Sequence, residues 1–297
     1  MFTVVDAYEG VAPSVSDRYG DVVRLAEAAE AGQLSSLWVA EHHFQPGGVC
    51  PAPPVLLAAC AARTQRLRLG VMVSVLPFHR PIELAEQYAM VDRLSGGRLN
   101  LGVGSGYIPL EFEGFGVDPA SKRERFDRNL ETLLAAFDGR EVRADEPGAV
   151  PVRINVLPVQ RPHPPLWIAV QRREAIPFVA RRGVSLALVP YATVANLAEL
   201  GNQIREFRAQ VPAGSAAEVA VAVHLYAGIA RTAPTPRSSG TSIPAWRPRA
   251  PSIRTRYERT LATRAPRRSR REGSRFSGKP PRSSSGWVST PDSGSTR

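Results

Sequence analysis

The sequence reads LRLGVMVSVLP at residues 67–77, RPIELAEQYAMVDRL at residues 80–94 and RLNLGVG at residues 98–104. Two short runs rich in Val and Leu therefore enclose an amphipathic stretch of helical length. This alternation is the pattern of repeated βα units around a parallel sheet.

The same alternation continues along most of the chain. Strands are predicted at Phe2 to Asp6, Leu37 to Ala40, Leu67 to Leu76, Leu99 to Val103, Leu166 to Val170, Leu186 to Val189 and Val219 to Leu225. Helices are predicted near residues 17–31, 53–64, 81–94, 121–138, 173–182 and 193–211. The first helix has an apolar stripe whose residues recur every three or four positions: Tyr19, Val22, Val23, Ala26 and Ala29. Seven strands and six helices predict an α/β fold, a (β/α)8 TIM barrel that lacks one strand and two helices.

Residues 139–164 contain several Pro and Gly residues and no regular period. We interpret them as an inserted loop or small hairpin within a barrel domain of residues 1–230. Because loops at the carboxyl ends of barrel strands form the active site, this insertion is expected to cover the substrate.

The composition changes abruptly after residue 230. Residues 231–297 hold 16 Lys and Arg against three acids, a net charge of +13. Because the whole chain has a net charge of +11, residues 1–230 have a net charge of −2. Arg, Ser and Pro number 15, 13 and nine among these 67 residues, a composition that predicts a disordered tail. We favour a shifted reading frame in a GC-rich gene as its origin. A natural basic tail that binds nucleic acid nonspecifically is the alternative.

Nothing in the sequence indicates a signal peptide or a membrane span. The start, MFTVVDAYEG, has no basic region before an apolar one, and no run of 18 apolar residues occurs. Cys50 and Cys60 are too few for a disulfide framework and are interpreted as reduced thiols. We therefore expect a cytoplasmic protein.

Candidate catalytic groups follow the second predicted strand, in LWVAEHHF at residues 37–44. Glu41, His42 and His43 stand at the carboxyl end of that strand, where a barrel places catalytic side chains. Adjacent residues of an extended strand face opposite ways, so the two imidazoles should have different roles. A structural pair of histidines is one alternative, and a metal site that also uses His79 is another.

The segments WVAEHHF, LRLGVMVSVLP, RPIELAEQYAMVDRLSGGRLNLGVGSGY and EFEGFGVDPASKRERFDRNLETLL occur in this order. Together they resemble the bacterial luciferase-like, flavin-dependent monooxygenases, from about residue 15 to residue 225. The resemblance implies a (β/α)8 barrel that holds reduced FMN, or in some branches F420, at the carboxyl ends of its strands. The EHHF sequence is more similar to the FMN branch.

The resemblance also implies roles for individual residues. His42 falls on the histidine that the family needs for its oxygen chemistry. An apolar wall against the flavin ring would be formed by Val71, Met72 and Val73.

The flavin phosphate would lie near basic side chains and near the glycine-rich turn GVGSGY at residues 102–107. The candidate residues are Gly104, Ser105, Tyr107, Arg123, Gln171 and Arg172. Luciferase has an arginine where this chain has Ser105, and small hydroxyl or acidic residues at the positions of Gln171 and Arg172. Arg172 could supply the missing charge, or the binding mode could differ.

The resulting prediction is a monooxygenase that uses O2 and reduced FMN to oxygenate a small organic substrate. A separate flavin reductase would supply the FMN, since no dinucleotide-binding fingerprint is present, and a homodimer is expected from the family. Two alternatives remain. One is an F420-dependent oxidoreductase that transfers hydride, and the other is an inactive, truncated barrel with a nucleic-acid-binding tail.

Overall fold

Seven parallel strands form one sheet in a computed structural model that describes residues 1–7, 14–45, 47–190 and 194–223. The strands are β1 (Phe2–Thr3), β2 (Ser36–Val39), β3 (Arg68–Val75), β4 (Leu99–Gly104), β5 (Leu166–Val170), β6 (Ser185–Leu188) and β7 (Val219–Val221). They pair in chain order, so β1 and β7 are the edge strands of the described sheet. The predicted α/β architecture with seven barrel strands is confirmed.

Helices connect most of these strands. They are α1 (Val15–Ala31), α2 (Pro53–Arg63), α3 (Pro81–Leu94), α4 (Pro109–Phe115), α5 (Lys122–Phe137), α6 (Ile176–Arg181) and α7 (Leu197–Gln210). Short 3-10 turns occupy Leu76–Phe78, Pro119–Ser121 and Arg173–Ala175.

Local sequence explains where the helices begin. The Ser14 hydroxyl accepts the Asp17 amide at the start of α1, and proline opens α2, α3 and α4, where a missing N–H costs nothing. The predicted apolar stripe of α1 is confirmed. Val22, Ala26 and Ala29 are buried, and Tyr19 and Val23 pack against the same core.

The structure differs from the prediction at several element ends. Strand β1 stops at Thr3, and Val5 adopts a positive φ of 53° that is incompatible with a continuing strand. Helix α4 was not predicted, because seven residues are too few to show a helical period. Residues 224 and 225, the predicted end of β7, lie outside the described residues.

Two tryptophan rings fill the interior at the middle of the sheet. Trp38 of β2 and Trp167 of β5 meet edge to face with ring centroids 5.5 Å apart. A Cβ atom at Gly70 of β3 would overlap the Trp38 ring, and one at Gly102 of β4 would overlap the backbone of β3. Glycines in these two strands therefore make room for large rings and for close strand approach.

The segment of residues 139–164 does not lie where we expected it. Its later part is anchored at the amino-terminal ends of the strands, where the Gln160 side chain donates to the Leu99 carbonyl and accepts from Arg68. The prediction of a substrate cover is therefore wrong for residues 157–161, because a connection from α5 to β5 must return to that edge. Glu146, in the earlier part of the segment, lies instead at the carboxyl-terminal edge of the sheet, where it pairs with Arg80 at 3.1 Å.

Asp92, on the last turn of α3, holds this segment in place. Its fully buried carboxylate accepts the amides of Val159 and Gln160 at 2.7 and 2.9 Å and the Gln160 side chain at 2.7 Å. Within the segment itself, Val142 and Val152 exchange two backbone hydrogen bonds as a small antiparallel bridge, and Asp92 fixes the residues that follow it.

We expect Asp92→Ala to lower the free energy of unfolding by about 3 kcal/mol, because three buried donors lose a charged acceptor. Urea denaturation measures the change. The matched control is Asp138→Ala, which removes an exposed carboxylate paired with Arg140 and should cost less than about 0.5 kcal/mol. Equal effects of the two substitutions would show that Asp92 is not an anchor.

Candidate functional site

The carboxylate of Glu41 lies at the centre of a buried polar network at the carboxyl ends of β2 and β3. Oε1 accepts from Nε2 of His79 at 2.8 Å and from Nε2 of His43 at 3.2 Å. Oε2 accepts from the Ser74 hydroxyl at 3.0 Å and from the Val75 amide at 3.3 Å. All four acceptor positions of this carboxylate are therefore occupied by donors.

These donors keep Glu41 ionised although its residue is only 2% exposed. Burial by itself would raise the pKa of Glu41, but hydrogen bonds and positive charge from His43 and His79 outweigh it and lower the pKa to about 2. The network extends inward, since the Ser74 hydroxyl contacts the Tyr88 hydroxyl at 2.6 Å. Burial, followed by the Glu41 charge, raises the Tyr88 pKa well above its usual value, so this phenol stays neutral.

His42 contacts a different carboxylate, Glu111 of α4. Its Nδ1 lies 3.1 Å from Oε1 of Glu111, and the same oxygen accepts the His43 amide at 3.0 Å. Glu111 is 1% exposed, whereas the His42 side chain keeps 14% exposure. The two neighbouring imidazoles therefore have separate acidic partners on separate elements.

Sequence reasoning missed Glu111, Ser74 and Tyr88, and it considered His79 only as a metal ligand. The one available signal for Glu111 was an acidic residue between two apolar ones, Leu110 and Phe112, directly after the glycine-rich turn. Without helix α4 there was no reason to expect that side chain to point inward.

Glycine at position 48 gives His42 its room. A Cβ atom on Gly48 would overlap the Cβ and the ring carbons of His42, and the His42 amide donates to the Cys50 carbonyl. The segment after the two histidines thus folds back against the first imidazole.

Aromatic rings surround His43 on its other side. Phe115 meets the imidazole edge to face at 4.7 Å, and Phe78 stacks on Phe115 at 4.9 Å. Phe44 completes this wall, is 57% exposed and has a positive φ of 61°. The rim of the site is therefore apolar although its floor is charged.

The predicted flavin wall lies on β3. Val71 is fully buried, whereas Met72 and Val73 are half-buried and interrupt an otherwise buried strand. The peptide bond between Met72 and Val73 is cis. Gly104 of β4 approaches Val73 so closely that a Cβ atom there would overlap the valine methyl group.

The glycine-rich turn is contacted by one basic side chain. Nζ of Lys122, the first residue of α5, lies 3.3 Å from the Gly106 carbonyl. Burial and then the positive charge of Arg172 lower the Lys122 pKa. Ser105 is half-buried, and Tyr107, Gln171 and Arg172 are exposed.

Arg123 is engaged elsewhere. Its guanidinium pairs with Asp127 at 2.9 Å and stacks 4.0 Å from the centroid of Phe178, with Arg182 on the same ring at 3.7 Å. The structure therefore places Lys122 at the turn, while Arg123 contacts Phe178 of α6.

The described residues contain no cluster of three or more side chains suited to a metal ion. Nor do they include a helix long and apolar enough to cross a membrane. Both cysteines are free and buried, and burial raises the pKa of Cys50 to about 12 and that of Cys60 to about 11. Residues 231–297, the predicted tail, lie outside the described part of the chain.

Comparison with known proteins yields one family. The profile described as luciferase-like monooxygenase matches residues 1–274, and so extends past residue 225, where we expected the resemblance to end. The oxygenase component of the flavin-dependent trigonelline monooxygenase of Acinetobacter baylyi is 29% identical over 175 residues. That alignment covers 58% of this chain and 49% of the relative, and the chain spans about half the length of the curated relatives that it matches.

Solved structures share the fold. Monooxygenase RslO1 of Streptomyces bottropensis is 28% identical, with a TM-score of 0.65 over 73% of this chain and 69% of its own. The oxygenating constituent of 3,6-diketocamphane monooxygenase of Pseudomonas putida, solved in complex with FMN, is 16% identical. Its TM-score is 0.64 over 74% of this chain and 65% of its own.

The lowered pKa of Glu41 predicts a specific acid sensitivity. Because the folded-state pKa of about 2 lies below the usual 4.5, the stabilisation is complete above the usual value and is lost as the pH falls towards 2. Between about pH 6 and pH 3 the parent should lose about 2 kcal/mol more unfolding free energy than Glu41→Gln. Denaturation at both pH values measures the difference. Glu124→Gln, whose side chain is 81% exposed, should behave like the parent.

Proposed function

This chain belongs to the luciferase-like monooxygenase family, and from that premise we propose that it is the oxygenase component of a two-component FMN system. A separate flavin reductase supplies reduced FMN, and a small organic substrate receives one oxygen atom of O2. The observation that carries the proposal is the pair of histidines at the carboxyl ends of the strands, each held by its own buried carboxylate. A barrel gathers its reactive groups at this edge.

The chemistry of the surrounding residues fits a flavin. Met72 and Val73 offer a half-buried apolar surface for a ring, and Lys122 and Arg172 offer positive charge for a phosphate. Bound reduced FMN would supply the two electrons that activate O2.

The protein residues have two tasks in this proposal. His42, which keeps some solvent exposure, accepts or returns a proton beside the reacting atoms. The aromatic wall of Phe44, Phe78 and Phe115 excludes water and favours an apolar substrate.

His42→Ala tests the assignment. We expect the variant to bind reduced FMN as the parent does in an anaerobic titration but to oxygenate a panel of small cyclic compounds at least about 100-fold more slowly, because the proton-transfer group is gone. Mass spectrometry detects the added oxygen atom. His163→Ala, which alters a half-buried histidine bonded to the Pro164 carbonyl, is the control.

Two results would refute the proposal. One is a parent protein that binds F420 and not FMN in the same titration, and the other is a His42→Ala variant that retains the full rate.

Lys122 and Arg172 are proposed to hold the flavin phosphate. Lys122→Gln and Arg172→Gln should each weaken FMN binding about tenfold, since each removes one charged hydrogen bond. Neither should change the affinity for riboflavin, which lacks the phosphate. Fluorescence titration with both flavins measures this, and Arg173→Gln, whose guanidinium pairs with Glu206, is the control.

The alternative phosphate ligand is Arg123. If Arg123→Gln weakens FMN binding while Lys122→Gln and Arg172→Gln do not, the phosphate lies near Phe178 instead of the glycine-rich turn.

A further inference from the structure

We propose that Glu41 and Glu111 hold the adjacent imidazoles of His42 and His43 in opposite neutral tautomers. His42 then carries its proton on Nδ1 and presents Nε2 as an acceptor, whereas His43 carries its proton on Nε2 and presents Nδ1. Both glutamates are positioning residues in this proposal. It rests on the proposed function only for its consequence in catalysis.

The tautomer of His43 follows from the hydrogen bonds of Glu41. The Val75 amide can only donate, and the Ser74 hydroxyl and two imidazole Nε2 atoms fill the remaining acceptor positions. The carboxylate is ionised, because these contacts lower the pKa of Glu41 to about 2, so it has no hydrogen to donate to an imidazole. Glu41 therefore accepts only, and a nitrogen 3.2 Å from Oε1 must bear the hydrogen.

The same reasoning fixes the direction of the inner part of the network. Because the Ser74 hydroxyl spends its only hydrogen on Glu41, its oxygen must accept from the Tyr88 hydroxyl. A neutral phenol has that hydrogen to give. The donors therefore run in one direction, from Tyr88 through Ser74 to Glu41.

The tautomer of His42 follows from Glu111. The His43 amide can only donate, so Oε1 of Glu111 accepts there, and the same oxygen lies 3.1 Å from Nδ1 of His42. Because this oxygen already serves as an acceptor, we assign the hydrogen of the second contact to Nδ1. Histidine in water prefers the Nε2–H form, so the Glu111 contact selects the less common tautomer.

The consequence for the proposed reaction concerns one atom. Nε2 of His42 has no hydrogen-bond donor among the described residues, and a neutral ring with its proton on Nδ1 has its lone pair at Nε2. Nε2 is therefore the atom that takes a proton first. His43, whose Nε2 donates to Glu41, has its lone pair at Nδ1 instead.

Nitrogen NMR of the full-length protein labelled with 15N-histidine tests this directly. At about pH 8, above the ordinary histidine pKa, we expect a protonated-type Nδ1 shift and an unprotonated-type Nε2 shift for His42, with the reverse for His43. Single His→Gln substitutions assign the signals. A parent spectrum with the proton of His42 on Nε2 overturns the proposal without recourse to any carboxylate variant.

Glu111→Ala provides the second test. The His42 signals should change to the Nε2–H pattern while those of His43 stay as they are, and Glu113→Ala, an exposed acid on the same helix, should change neither. Unchanged His42 signals in a folded Glu111→Ala protein would also overturn the proposal. Should Glu111→Ala not fold, Glu111→Gln is measured in its place, and its neutral oxygen should increase the Nε2–H fraction.

The outcome is independent of flavin binding. Opposite tautomers in a protein that binds no flavin would uphold this inference and reject the proposed function. Oxygenation by a protein whose His42 carries its proton on Nε2 would do the reverse.

Discussion

The buried charge of Glu41 is the constraint on which the site depends. An ionised carboxylate away from water is tolerated only when donors meet it, and here they come from β3, from the turn after β3 and from the chain after β2. These segments can supply their donors only when β2 and β3 are in register, as in the pairing of Val39 with Val71. The packing of the sheet and the chemistry of the site are therefore set by the same contacts.

The second carboxylate belongs to a different part of the chain. Glu111 lies on a short helix after β4, and it joins that helix to the His43 backbone and the His42 ring. Charged groups form the floor of the site and aromatic rings form its rim. This combination suits a reaction in which protons must move while bulk water is kept out.

Much of the fold could be predicted from sequence, because buried parallel strands are continuous apolar runs and barrel helices have a clear stripe, as in β3 and α1. The position of Glu41, His42 and His43 after β2 followed from the same logic. Glu111 could not be predicted, since its contacts with His42 and His43 span 69 and 68 residues and no local period reports them. The placement of residues 157–161 also failed, because composition identifies a loop but not the edge of the sheet to which Asp92 fixes it.

The overlap between position 48 and the His42 ring has a consequence for protein engineering. Any side chain introduced at Gly48 would push the imidazole from its place against Glu111, so a library that varies this position would mostly sample disabled variants. Phe44, only four residues earlier, exposes more than half of its surface, so a change of its side chain alters the aromatic wall without displacing the His42 ring. Efforts to redirect the substrate range should therefore randomise the rim at Phe44 and leave Gly48 untouched.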